Sequence, residues 1–245
     1  MSAFAGTPRK LPGSLETNRQ LDQWLTINAD GTVIVRPGKV EIGQGILTAV
    51  VQIVAEELDI AVERIRLVAA ATTLSPNEGI TSGSRAIQES GIALRFAAAE
   101  ARELLLARAA ATLGASVEQL SVRDGVVTSR VGGSVSYWDL ADASLLSREA
   151  TGEAPPKTAA EYELVGRTIP RIDIPPKVMG APVYVHDLDL PQMVHARVVR
   201  PPRPGMRLTT HDFGEVEEMP GVVRVVRDGN FLGVIAEREE QAIRA

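Results

Sequence analysis

Two short stretches carry residues whose types and spacing suit ligand chemistry. The first is Ile42-Gly43-Gln44-Gly45, inside "GKVEIGQGILTAVVQI". Two glycines around one glutamine let the backbone approach a ligand closely or take positive φ. If a helix starts at Gly45, its unpaired N–H groups and dipole favour an anion in the turn. The Gln44 amide both donates and accepts, which suits the edge of a heterocycle. A purely geometric role, turning a strand into a helix, accounts for the same glycines. The dinucleotide fingerprint G-x-G-x-x-G is absent.

The second stretch, "SPNEGITSGSRAIQESG", sets Thr81, Ser82, Gly83 and Ser84 just ahead of a long helix that opens near Arg85 and Ala86. The hydroxyls suit either N-caps or a second phosphate cradle. Arg85 is then either a phosphate partner or a surface charge. Ser84 lacks the G-x-S-x-G elbow and no histidine is tied to it by a motif, so a serine hydrolase is not expected. His186, His195 and His211 are spaced without a second ligand at helical separation, and no metal site is expected from them. No catalytic residue is assigned.

These stretches need elements to hold them. "QWLTINADGTVIVRP" reads as two strands joined at Asp30-Gly31. Ile46, Leu47, Val50, Val51, Val54 and Leu58 recur at helical spacing after the glycine turn. A strand follows around Ile65 and Leu67. A long Ala-rich helix is expected from Arg85 to Leu113, with Gly114 as its cap. A short helix "SVEQL" precedes strands "SVRDGVVTS" and "GSVSYWDL". "REATGEAPPKTAAEY" is the best linker, dividing the chain into domains 1–155 and 156–245. Strands "VYVHDL", "MVHARVV", "MPGVVRVVRDG" and "FLGVIAERE" make the second piece β-rich. "EREEQAIRA" reads as a solvated helix. The fold class is α+β.

Composition narrows the function classes. The 245 residues carry 44% hydrophobic and 23% charged residues and a net charge of −5, which gives no footprint for nucleic acid. No apolar run is long enough to span a bilayer, and the N-terminus lacks a secretory core, so a cytoplasmic location is expected. The absence of cysteine rules out disulfides, thiolate nucleophiles and an iron–sulfur cluster ligated by this chain.

At "GKVEIGQGILTAVVQIVAEELDI" the chain resembles the molybdopterin-binding subunit of the xanthine dehydrogenase/aldehyde oxidase family, which carries E-[ILM]-G-Q-G-[ILM]-x-T. "SPNEGITSGSRAIQESG" is similar to that family's P-N-x-x-x-T-[AS]-x-S segment. "KVMGAPVYVHDLDLPQMVHARVVRPPRPGMRL", followed by "MPGVVRVV", resembles its hammerhead domain. This order is that of the isoquinoline 1-oxidoreductase and nicotinate dehydrogenase type. The resemblance implies a partial molybdopterin-binding α/β domain followed by a hammerhead-like domain.

It also implies oxidation of N-heteroaromatics or aldehydes with oxygen from water, and electrons passed to a small iron–sulfur subunit, then to a cytochrome or flavin. The implied cofactor is molybdopterin cytosine dinucleotide, shared with segments outside this chain, its phosphates at the helix after Gly45. Ile42, Gly43, Gln44 and Gly45 carry over as pterin contacts. Thr81, Ser82, Gly83, Ser84, Arg85 and Ala86 carry over as the second strip. Arg85, Ala86 and Ile87 depart from the hydroxyls common there, which points to backbone contacts.

The family's catalytic glutamate has no counterpart, since Gly152-Glu153 and Gly214-Glu215 lie outside its context. The chain thus corresponds to an N-terminal portion of such a subunit, inactive alone. The alternative is a cofactor-binding or assembly module without chemistry. The intact glycine turn favours the first reading and the missing catalytic segment the second.

Overall fold

The computed structural model describes residues 10–182, 184–209 and 212–245. Two compact units divide the chain, Met1–Met179 and Gly180–Ala245. In the first, the Asp30-Gly31 signal gives a hairpin: β1 (Leu25–Ile27) runs antiparallel to β2 (Val33–Val35), with Leu25 opposite Val35. The Asp30 carboxylate closes the turn by accepting from the Thr32 N–H and hydroxyl. A helical turn, α1 (Leu21–Trp24), leads into it and buries Leu21 and Trp24. Strand β3 (Ile65–Leu67) pairs parallel with β2, so the intervening helix α2 (Ile46–Leu58) is the crossover such pairing requires.

Helix α2 buries Ile46, Val50, Val51, Val54 and Leu58. The long helix opens near Ala86 as expected but is not uniform. Ile87–Gly91 forms a π-helical turn, and α3 proper spans Ile92–Leu113, closed by left-handed Gly114. Its inner face is largely alanine (Ala93, Ala97, Ala98, Ala101), joined by Leu94 and Leu105, and packs with α2, β1 and β2 in one core. The 11–16 segment joins that core through buried Leu11 and Leu15.

Strands β4 (Leu120–Arg123), β5 (Val126–Ser129) and β6 (Ser134–Ser136) form an antiparallel sheet turned at Asp124-Gly125. The strand expected through "GSVSYWDL" stops at Ser136. There the Ser136 hydroxyl accepts from the Asp139 N–H while Asp139 accepts from Ser136, a capping box that starts helical turn α4 (Tyr137–Leu140).

The segment expected as a linker is a strap packed on the first unit, and the units divide at 179/180 rather than near 155. Side chains of α2 and α3 accept its backbone donors. Glu100 accepts from the Thr151 and Gly152 N–H groups, and Glu57 from Lys157. Glu56 accepts from the N–H groups of Glu163, Leu164 and Val165. Gln52 Nε2 donates to the Leu164 and Arg167 carbonyls, and Thr48 Oγ1 accepts from the Ile172 N–H. Thr48, Gln52 and Glu56 recur every four residues, so one stripe of α2 holds the strap along its length. Bonding of this kind leaves no mark on hydrophobic composition. A turn of helix, α5 (Ile174–Val178), ends the strap.

In the second unit, β7 (His195–Val198), β8 (Val222–Asp228) and β9 (Phe231–Ala236) form an antiparallel sheet in the order β7-β9-β8. Short helices α6 (Gly214–Glu217) and α7 (Glu239–Arg244) accompany it. The strand expected at "VYVHDL" is instead a 3-10 turn, Val185–Asp187, because the Asp187 carboxylate accepts from the Tyr184 N–H. His186 stacks on Tyr184 with ring centroids 5.5 Å apart, and His195 faces Ala236 across the sheet. His211 lies outside the described residues. Among the described residues no three His, Asp or Glu side chains gather to hold a metal ion, and no helix is long and apolar enough to cross a membrane.

Candidate functional site

The connection from β2 to α2 carries the glycine turn. Gly43 (φ 105°) and Gly45 (φ 82°) take left-handed backbone that a side chain would strain. Their N–H groups do not wait for a ligand. The Glu41 carboxylate folds back so that Oε1 accepts from Gly43 (2.8 Å) and Gly45 (2.9 Å) and Oε2 from Leu47 (3.3 Å). The expected phosphate position at the start of α2 is therefore already filled by an internal anion. A carboxylate at a helix N-terminus is favoured by the same dipole that favours phosphate. Gln44 is also turned inward: Oε1 accepts from the Ile42 N–H (2.6 Å) and Nε2 donates to the Val40 carbonyl (2.8 Å).

Arg171, at the end of the strap, clamps this turn. Its Nη1 donates to the Gly43 carbonyl at 2.8 Å and its Nη2 lies 3.5 Å from Glu41 Oε1. Asp173 orients the guanidinium through two bonds and also meets Lys177, and these cations hold the Asp173 carboxyl far below the usual carboxylate range.

The second strip lies against the first. Thr81 Oγ1 accepts from the Val40 N–H at 2.9 Å. Ser82, Gly83 and Ser84 are exposed, and neither their N–H groups nor the two serine hydroxyls bond to any described residue. Gly83 and Ser84 both have positive φ, and for Ser84 (φ 56°) that is strain of the kind stored at ligand sites. Arg85 turns away to Glu89, 3.1 Å distant, and Ala86 is half-buried.

A residue that the motif reading passes over joins the strips. Lys39 is 1% exposed, and its Nζ donates to the carbonyls of Glu78 (2.7 Å) and Ile80 (3.1 Å) and pairs with Glu89 (2.5 Å). One cation thus fixes the loop before Thr81 and the π-helical turn after it. Glu78 accepts from the Gly38 N–H at 2.6 Å. Its other oxygen is buried, without a partner among the described residues, beside a cavity of about 310 Å³. From the other side, Trp24 Nε1 donates to the Asn18 carbonyl and Asn18 Nδ2 to the Asn77 carbonyl. Lys39 and Glu41 carried one available signal: charges set between apolar residues where a strand meets a turn.

Residues 5–169, which hold both strips, match the family described as the molybdopterin cofactor-binding domain. The chain belongs to that family. The chain is 42% identical, over 93% of its length, to a subunit of the nicotinate dehydrogenase of Pseudomonas putida. It is 30% identical, over 99% of its length, to the beta chain of the isoquinoline 1-oxidoreductase of Brevundimonas diminuta. It spans 20% of the first relative and 37% of the second. The CO dehydrogenase structure from Oligotropha carboxidovorans superposes on 47% of this chain and 15% of its own, at 27% identity and a TM-score of 0.43. The resemblance to the xanthine dehydrogenase/aldehyde oxidase family holds, as a portion of its molybdopterin-binding subunit.

The residues of the domain fit such a ligand at the second strip, where the hydroxyl and N–H donors of Ser82–Ser84 are exposed and bond to no described residue. At the first strip the fit is through surface rather than free N–H groups. Ile42 is 71% exposed, and apart from Gly43 and its two chain neighbours no described atom lies within 4 Å of where a Cβ on Gly43 would stand.

Proposed function

We propose that this chain forms one wall of the cofactor site in the large subunit of a molybdenum hydroxylase. The juxtaposition of the two strips carries the reading: Val40 bonds Thr81, Lys39 ties both sides, and Ser82–Ser84 offer exposed donors that bond to no described residue. Ile42 to Gly45 and Thr81 to Ala86 are the proposed contacts for a molybdopterin cofactor, in its cytosine dinucleotide form. When bound, that group supplies two-electron oxidation of an N-heteroaromatic or aldehyde with oxygen from water. Ser82 and Ser84 donate to the cofactor, Gly43 allows close approach, and Lys39 keeps the strips in register.

The substrate, an iron–sulfur subunit and a cytochrome or flavin acceptor follow in this reading from the relatives' names and the resemblance. So do a hammerhead-like role for the second unit and a cytoplasmic location. The proton-transfer residue is placed on segments beyond this chain. Native particles containing this chain should hold molybdenum, release a cytosine nucleotide on acid hydrolysis and include an iron–sulfur chain by mass analysis. The chain purified alone should hold no stoichiometric molybdenum and turn nothing over. Native particles free of molybdenum would overturn the reading.

A further inference from the structure

The glycine turn has the shape of an anion site, yet a residue of the chain sits in it. Glu41 uses both carboxylate oxygens on three N–H groups, those of Gly43, Gly45 and Leu47, and its side chain is 8% exposed. These are the donors that a phosphate at the start of α2 would need. Arg171 holds the arrangement from the far side by bonding the Gly43 carbonyl and approaching Oε1, and its guanidinium carbon lies 3.8 Å from where a Cβ on Gly45 would be. Gln44 has one acceptor site and one donor engaged, which leaves a second amide hydrogen and a second lone pair on an uncharged group.

We infer that Glu41 is a built-in anion that sets the specificity of this turn. It excludes phosphate from the helix N-terminus and leaves the uncharged hydrogen-bonding edge of Gln44 for the ligand, beside the open surface of Gly43, with Arg171 keeping the carboxylate seated. The inference rests on the reading of the turn as part of the cofactor site, and it moves phosphate recognition to donors elsewhere, such as those of Ser82–Ser84, which bond to no described residue. Glu41 is thereby a positioning and specificity residue, acting on the ligand through the backbone it holds.

Inorganic phosphate tests this without any cofactor. Titrated into the isotope-labelled 245-residue chain, it should leave the amide signals of Gly43, Gly45 and Leu47 unmoved, whereas in Glu41→Ala the same signals should shift and saturate. Wild-type signals that shift as readily as the variant's would overturn the inference. So would a folded Glu41→Ala chain that ignores phosphate. If Glu41→Ala does not fold, the isosteric Glu41→Gln decides: hydrogen exchange at Gly43 and Gly45 should rise about tenfold as a charged acceptor becomes neutral. Unchanged exchange would overturn the seated-anion role. Because no arm contains molybdenum, failure here is distinguishable from failure of the metal analysis.

Discussion

Lys39 Nζ lies 2.5 Å from Glu89 Oε2, with the ammonium buried and the carboxylate about a quarter exposed. Two backbone carbonyls take the remaining protons of the cation, so its desolvation is matched by three acceptors. Lys39→Met removes the charge and leaves those carbonyls without their donor. The expected loss is about 2–3 kcal/mol, read as a shift of the denaturation midpoint, with faster exchange at residues 78–81. The Lys39 hydrogen bond is also the main reason that the Glu89 carboxyl is held below its usual range. A lowered carboxylate stabilises above the unfolded value near pH 4.3 and loses that contribution as pH falls through the folded value. Acid titration should therefore narrow the gap between wild type and Lys39→Met.

Glu56 tests the strap. Burial pushes its carboxyl up, but the N–H groups of Val165, Leu164 and Glu163, with Lys157, outweigh that and hold it down. Glu56→Ala should cost about 3 kcal/mol and make residues 157–173 the first site of proteolysis. In the wild type the same sign analysis places strap release on the acid side, progressing below the unfolded carboxylate range near pH 4.3. A proteolysis series across pH 3–6 would show cleavage in the strap before loss of the core.

Two buried hydroxyls have no partner among the described residues, Tyr137 OH and Ser90 Oγ. Deleting an unsatisfied polar group removes a desolvation penalty, so Tyr137→Phe should be neutral or raise stability by up to about 1 kcal/mol. Burial and the charge of Asp59 push the Tyr137 phenol well above its ordinary value. A raised phenol favours the fold below the unfolded value near pH 10 and loses that contribution above it. The wild type should therefore lose stability relative to Tyr137→Phe only in strong alkali.

Ser84 holds left-handed backbone without being glycine. Ser84→Gly should relieve strain by about 0.5–1 kcal/mol, partly offset by the greater freedom of the unfolded chain. It also removes a hydroxyl proposed as a ligand donor. A higher Tm together with less molybdenum in the native particle is the expected pair of readings. A higher Tm with unchanged metal would remove the Ser84 side chain from the cofactor contacts.

Legibility in the sequence followed how local the cause was. Asp30-Gly31, Asp124-Gly125, the apolar stripe of α2 and Gly114 after α3 each act within a few residues, and each element formed as read. "GSVSYWDL" and "VYVHDL" misled because alternating apolar residues outweighed local side-chain caps, Asp139 in one and Asp187 in the other. The glycine turn was visible as a turn, while its occupant was not. Glu41 has no role in the sequence reading beyond its place in the motif, and its seat depends on three amides within six residues and on a guanidinium 130 residues away. The strap failed for a related reason, since its stabilisation comes from acceptors on helices formed far earlier in the chain.

The contact between Arg171 and Glu41 closes a loop of 130 residues. Closure of so long a segment comes late, after the local elements have formed and lowered its entropic cost. As the chain emerges during synthesis, the glycine turn exists early but acquires its lock only when the strap has been made and laid along α2. The locking of the glycine turn is thus timed by the completion of the unit. A chain ending before Arg171 should show a folded α2 with unprotected Gly43 and Gly45 amides.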